Sequence, residues 1–248
     1  MKVSLLYATP LAVELLIFTK NTRLNMTPKG LDEIISWPRE KKIAEIKYMS
    51  KTIPSSWEMV DLIFCIEGVS RAFTHQLVRT RTASFAQQTM RIVDMSEFEY
   101  VTGPSIQNNK AASELYEAEM IAIQDCYADL IKAGAKTEDA RGVLPTNIKT
   151  NICMKINLRA FSDLVRGRTS PRVQNEYGQV LAAMISETLK VWPWSVSFIM
   201  PRSNDAHSEL NEYLKEQLDR EEKETGKPKN ETKAWNAIKM LDIIRQEQ

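Results

Sequence analysis

Histidine is scarce in this chain: His75 and His207 are the two among 248 residues. Neither has the cysteine, aspartate or glutamate spacing of a ligand set, so no metal site is expected. An isolated histidine on a helix reads as a packing or surface residue rather than a base. Cysteine is nearly as rare. Cys65, Cys126 and Cys153 lie far apart, form no Cys-x-x-Cys pair and are odd in number. That excludes a disulfide framework and reads as a reduced, cytoplasmic protein. Each cysteine is expected to be a small buried hydrophobe, and none sits in a context that would activate a thiol. Glycine-rich phosphate loops are missing, since neither GxGxxG nor GxxxxGK[ST] occurs; a Rossmann or P-loop enzyme is therefore not expected. Charge of one sign is missing too. Thirty-three basic residues face 32 acidic ones, a net charge of +1, so nothing draws the chain toward nucleic acid or membrane at long range. The apolar opening "MKVSLLYATPLAVELLIFTK" is broken by Pro10 and Glu14. It is too short to span a bilayer and lacks a signal-peptide cleavage pattern.

What is present is an ordinary core composition, 43% hydrophobic, and a mixture of strand and helix patterns. The opening segment reads as a core strand followed by a helix. "MVDLIFCIEG" (59–68) is an almost continuous apolar run closed by glycine, which predicts a buried strand. "VSRAFTHQLVR" (69–79) changes to a helical period, with Val69, Ala72, Phe73 and Leu77 on one face and Arg71, His75 and Arg79 elsewhere. The stretch after it has no apolar period and is expected to be irregular. Residues 108–134 predict a long helix, with Asn109 as N-cap and Gly134 as stop. "TEDARGVLP" (137–145) opens like a capping box at Thr137 and ends at Pro145. Residues 146–157 alternate, with Ile148, Ile152, Met154 and Ile156 on one parity, and predict a strand. Residues 158–168 predict a helix stopped by Gly167. Residues 173–192 predict a helix with sustained three-four spacing that Pro193 ends. Beyond Asn204 the chain is heavily charged and reads as an exposed helix and a linker, then a last amphipathic helix on Trp235, Ile238, Leu241 and Ile244. The fold class is mixed α/β, a central sheet flanked by long helices. A catalytic domain over 1–204 is followed by a charged helical extension over 205–248.

The segment "RTRTASFAQQTMR" (79–91) carries three arginines among hydroxyl and amide side chains, with no acid. Guanidinium is a planar fork of donors suited to phosphate. Ser84, Gln87, Gln88 and Thr89 can bond a phosphate or a base edge. A second group lies downstream: Arg141, Arg159, Arg166, Arg168 and Arg172. Gln76, Asn157 and Gln174 are interleaved with the two groups. The pattern predicts that both converge on one anionic ligand, and a nucleotide satisfies the demand for charge and base-edge bonds together. Any single arginine of this kind would otherwise serve a helix C-terminus and face solvent.

Arg79-Thr80-Arg81, seven residues, then Thr89 and Arg91 resembles the signature of the flavin-dependent thymidylate synthases. "CIEGVSRAFTHQLVRTR", "ARGVLP" (140–145), "NLRAFSDLVRGR" (157–168) and Gln174 with Glu176 extend the resemblance, in order, over roughly 22–193. It implies a flavin-dependent thymidylate synthase-like fold, a homotetramer, and FAD held where subunits meet. It also implies transfer of a one-carbon unit from methylenetetrahydrofolate to C5 of dUMP, with NADPH reducing the flavin. By position, Gln76, Arg79, Gln87, Gln88, Thr89, Arg91, Arg141 and Arg168 would bind the pyrimidine nucleoside monophosphate, and Arg79 and Arg168 would act in catalysis. Asn25, Ser55, Arg79, Thr80, Arg81, Thr82, Asn157, Arg159 and Asp163 would lie at the flavin.

Several positions depart from the family pattern. Thr80 replaces its histidine, Thr89 its serine, Gln87 a glutamate and Asp163 an asparagine; Ile53 and Met59 stand where histidines are usual. These changes gather at flavin and pyrimidine rather than phosphate. Three other readings therefore stay open. One is methylation or hydroxymethylation at C5 of another pyrimidine nucleotide. A second is an arginine-rich nucleic-acid-binding protein, disfavoured by the near-neutral charge and the absence of stacking aromatics. The third is an inactive scaffold.

Overall fold

The computed structural model of the chain describes residues 1–24, 30–168, 173–200 and 206–246. Strands β1 (Lys2–Ala8), β2 (Asp61–Ser70), β3 (Ser84–Gln87) and β4 (Lys149–Asn157) form one antiparallel sheet in the order β1-β2-β4-β3. Alternation decides which face is buried. Leu62, Phe64 and Ile66 of β2 and Ile152, Met154 and Ile156 of β4 turn inward, whereas Ile63, Cys65 and Cys153 are only half-buried. The continuous apolar run of β2 thus covers one face rather than two. Register slips by one residue between Ile66 and Val69, opposite Ile152 and Thr150. Gly68, at φ 66°, supplies the left-handed backbone of that bulge. Cys65 lies directly opposite Cys153 across the pair. Burial first, and then its neighbour Cys153, push the Cys65 thiol up and keep it protonated. Cys126 is exposed, contrary to its reading as a buried hydrophobe.

The segment after Arg79 is not wholly irregular, since Ser84–Gln87 pairs with Ile152–Lys155 of β4 as an edge strand. The partner lies more than sixty residues away, so no local period could announce it. Twelve helices fill out the described residues: α1 (Ala12–Leu24), α2 (Leu31–Ile35), α3 (Arg39–Thr52), α4 (Arg71–Leu77), α5 (Pro104–Gln107), α6 (Lys110–Lys132), α7 (Thr137–Ala140), α8 (Leu158–Gly167), α9 (Asn175–Val191), α10 (Val196–Ile199), α11 (Ala206–Thr225) and α12 (Lys233–Gln246). None is long and apolar enough to cross a membrane. Asn109 caps α6 through Ala112 N, and Gly134 follows its end at φ 89°. The cap of α7 is Lys136 rather than Thr137, whose hydroxyl donates instead to Arg91 O at 2.6 Å.

Helix α9 is buried on nearly every side, as a central helix must be. It packs on β1, α11 and α12. The charged stretch read as an exposed helix is amphipathic: Leu210, Tyr213, Leu214 and Leu218 of α11 join the main core. In α12 the inward residues are Ala234, Ala237, Ile238 and Leu241, while Trp235 is 37% exposed. The small Ala234 takes the core position that the larger aromatic side chain suggested for itself. Ile244's side chain lies outside the described residues. A second, smaller cluster of Met95, Phe98, Met120, Tyr127, Ala140 and Ile148 underlies the 90–100 and 140–148 segments.

Candidate nucleotide and cofactor site

The site is built around α4. Ser70 ends β2 and caps α4, accepting from Phe73 N at 3.0 Å. The first turn of α9 grips that helix through three successive contacts. Gln76 Nε2 donates to Gln174 Oε1 at 2.6 Å. The Ser70 backbone N–H and hydroxyl donate to the two oxygens of Glu176, at 2.7 and 2.5 Å. Phe73 meets Tyr177 edge-on, with ring centroids 5.0 Å apart. Segments a hundred residues apart in sequence are thereby fixed against each other.

At the C-terminal end of α4 the segment carrying Arg168 reaches, through Tyr177, the turn that holds Thr80. Arg168 lies at the end of α8, its Cζ 4.8 Å from the centre of the Tyr177 ring. Burial pushes the Tyr177 phenol up, and the Arg168 charge, with Thr80 and Arg168 close to the hydroxyl, opposes that. The Tyr177 Oη is enclosed yet has no partner at hydrogen-bond geometry. Arg79 and Arg81 occupy the turn after α4. Both are exposed and form no ion pair with a described carboxylate. Ser84 pairs with Lys155, and this register brings Arg81, Thr82 and Ala83 alongside the end of β4, where Asn157 lies.

The residues expected at the flavin share that end of the sheet, but several are already engaged. Asn157 caps α8, accepting from Ala160 N at 2.9 Å. Arg159 pairs with Glu58 at 2.6 Å, joining α8 to the 3-10 turn Pro54–Met59, which carries the exposed Ser55. Asp163 pairs with Arg166 at 2.5 Å. Asn25 and Arg172 lie outside the described residues.

At the opposite end of α4 a separate group forms. Gln87 Nε2 donates to Thr74 Oγ1 at 2.9 Å and to Thr150 Oγ1 at 3.4 Å, so its amide faces the interior hydroxyls. Gln88 N donates to Asn151 O, and Gln88 Oε1 accepts from Asn151 Nδ2. Thr89 Oγ1 accepts from Arg91 N at 3.1 Å, while the Arg91 guanidinium is exposed. Arg141 is exposed and anchored by one bond, Nε to Glu138 O at 3.1 Å. The expected single cluster is thus two poles, each drawing on both sequence segments. Arg168 and Thr80 form one, Arg91 and Arg141 the other. The length of α4 separates them, roughly 10 Å for seven helical residues.

Two residues that the sequence did not single out lie against these groups: Tyr177 under Arg168, and Arg71, whose Nη2 donates to Gln88 O. Tyr177 was legible as a core position of α9, but its second neighbour, Arg168, was not. Arg71 stood off the apolar face of α4 in a stretch without an acid, which was the available signal.

The sequence pattern of the family described as "Thymidylate synthase complementing protein" matches residues 18–194. A flavin-dependent thymidylate synthase of Nitratidesulfovibrio vulgaris is 40% identical over 164 residues, covering 62% of this chain and 67% of that protein. A flavin-dependent thymidylate synthase of Clostridium tetani is 32% identical over 210 residues, covering 77% and 84%. The crystal structure of Thymidylate Synthase X (ThyX) from Helicobacter pylori with FAD and dUMP shares the fold. Its TM-score is 0.58 at 19% identity, over 75% of this chain and 93% of that one.

Proposed function

The chain belongs to the thymidylate synthase complementing protein family. On that premise we propose that it transfers a one-carbon unit to C5 of a pyrimidine nucleotide, converting dUMP to dTMP. Methylenetetrahydrofolate is the donor, NADPH the reductant and FAD the cofactor. The observation that carries this reading is the placement of Arg168 over Tyr177 beside Thr80. A guanidinium from the second arginine segment there reaches the turn that carries Arg79 and Arg81.

C5 of uracil is a weak nucleophile. Fixed positive donors along the pyrimidine carbonyls raise enolate character at C5, and such preorganised electrostatics are often the largest catalytic term. Arg168 and Arg79 take this role. Tyr177 holds the Arg168 guanidinium in place through its ring face, and Gln76, near the C-terminal end of α4 and fixed by Gln174, belongs to the same end. Thr89, Arg91 and Arg141 hold the phosphate at the other end of α4. Gln87 and Gln88 belong to that same group.

The residues present suit FAD. Its diphosphate asks for uncompensated positive charge, and Arg79 and Arg81 have no carboxylate partner among the described residues. Thr80 and Thr82 add hydroxyls. Ser55, Asn157, Arg159 and Asp163 line the same end, with the charges of Arg159 and Asp163 already balanced by Glu58 and Arg166. FAD, when bound, supplies the redox chemistry, and the chain orients and polarises. The exposure of Arg79, Arg81 and Arg91 supports a homotetramer in which neighbouring copies close the site. A cytoplasmic location goes with this reading.

One observation favours a second reading, C5 hydroxymethylation or methylation of a different pyrimidine nucleotide. Gln87 is neutral and turned toward Thr74 and Thr150, which alters the surface offered to the base. The test is incubation with methylenetetrahydrofolate, NADPH, FAD and a panel of pyrimidine nucleotides, followed by mass detection. Gain of CH2 on dUMP is expected. Gain of CH2O, or reaction of another nucleotide, selects the second reading. Protein that takes up no FAD and modifies no nucleotide would defeat both. In the same assay Arg168→Ala should weaken nucleotide binding by about 1.5–3 kcal/mol, the scale of a charge-assisted hydrogen bond.

A further inference from the structure

Arg71 begins α4 and sits between the two segments that carry the phosphate pole. Its backbone N–H donates to Ile148 O at 3.1 Å, and Ala72 N donates to Thr146 O at 2.7 Å. These bonds fasten the first turn of α4 to the strand approach that follows Arg141. Its Nη2 donates to Gln88 O at 2.6 Å, one residue before Thr89. The Nε of Arg71 is enclosed and has no hydrogen-bond partner. No described carboxylate pairs with Arg71 or with Arg141. The half-buried guanidinium of Arg71 therefore carries a charge that no described group of this chain balances, beside a second guanidinium.

Such an arrangement is unfavourable alone. Like charges repel, and an enclosed donor without an acceptor forfeits its hydration. Burial, and then the Arg141 charge, weaken Arg71's hold on its proton. A doubly negative group with several acceptor oxygens reverses both penalties at once. We propose that Arg71 is the inner charge of the phosphate site. It pairs with Arg141 in attracting the phosphomonoester of the nucleotide, and it holds the Gln88 carbonyl so that Thr89 and Arg91 face that group. This rests on the nucleotide reading given above, and it adds a residue that the arginine signature does not contain. The half-burial of Arg71 distinguishes it from Arg91 and Arg141. Its bond to the Gln88 carbonyl holds its charge at the site.

The experiment compares wild type, Arg71→Gln and Arg71→Lys by calorimetric titration of the FAD-loaded full chain. Three probes are used: dUMP, deoxyuridine and inorganic pyrophosphate. Thermal melts confirm that each variant is folded. Arg71→Gln should weaken dUMP about ten- to a hundred-fold, the range for loss of a charge-assisted contact. Deoxyuridine binding should change by less than about three-fold, because it offers no phosphate to lose. Arg71→Lys should recover part of the dUMP affinity, since charge returns without the fork. An equal loss for dUMP and deoxyuridine would reduce Arg71 to a prop for the Gln88 carbonyl and overturn the proposal. So would unchanged dUMP binding. If the wild type binds pyrophosphate through Arg71 but no nucleotide, the anion site stands and the nucleotide reading is what fails. If it binds neither, the proposal fails.

Discussion

Ser70 spends one hydroxyl on two tasks. It accepts from Phe73 N to start α4 and donates to Glu176 to hold α9. Alanine at this position removes an N-cap, typically about 1 kcal/mol, together with a hydrogen bond to a charged acceptor, about 1.5–3 kcal/mol. The two effects share one atom and are not additive, so Ser70→Ala should lower unfolding free energy by about 2–3 kcal/mol. Urea denaturation checks this, and a loss below about 0.5 kcal/mol would mean that Glu176 finds another donor. Single residues were unevenly legible. Asn109 and Gly134 were plain because capping is local and uses few residue types. Glu176 could be noticed beside Gln174, but its partner lies 106 residues away, and nothing in its own neighbourhood names a serine. Thr137 misled for the opposite reason. A hydroxyl that looks like a cap is free to bond elsewhere, and Arg91 O was nearer.

Helix α9 passes α11 at Gly178. A methyl group there would overlap Oε1 of Gln217, itself only 5% exposed. Glycine inside a helix costs up to about 1 kcal/mol relative to alanine, so propensity alone favours substitution. Displacing a buried amide costs about 1–3 kcal/mol. Gly178→Ala is therefore expected to destabilise by about 1 kcal/mol net. Gln217→Ala in the same chain should abolish the penalty and leave the gain in propensity visible. A melting-temperature series on the two single variants and the double decides it; additive effects would show that the helices do not touch there. Elements such as α6, α8 and α9 were readable because their apolar spacing reports their own buried face. Strand β3 was not, because four residues on a sheet edge borrow their conformation from β4. The two-pole layout was hidden for the same reason. It is set by the register of Ser84 against Lys155 and by the length of α4.

Across the whole molecule, buried phenols tie stability to alkaline pH. Burial holds Tyr177 and Tyr213 above the ordinary phenol range. The sign follows from linkage. Below the ordinary range both states keep the proton and stability is at its full value. As pH rises through that range the unfolded chain releases protons that the folded chain retains, so stability falls until the folded groups titrate too. Melting temperature should therefore decline above about pH 10. Tyr213→Phe should flatten the decline while costing little at neutral pH, because Tyr213 Oη is enclosed without a partner. An unchanged alkaline slope would refute the assignment to Tyr213.

The bulge at Gly68 reaches further than its own strand. Up to Ile66 the even-numbered residues of β2 enter the core; past the bulge the odd-numbered Val69 does, with Ser70 buried beside it at the strand's end. That half-period phase shift determines on which side of the sheet the chain departs. A β2 shorter by this single surplus residue would launch α4 and everything from Arg71 to Arg91 toward the opposite face, out of reach of α9. The handedness of the whole binding region is thus encoded in an insertion of length one.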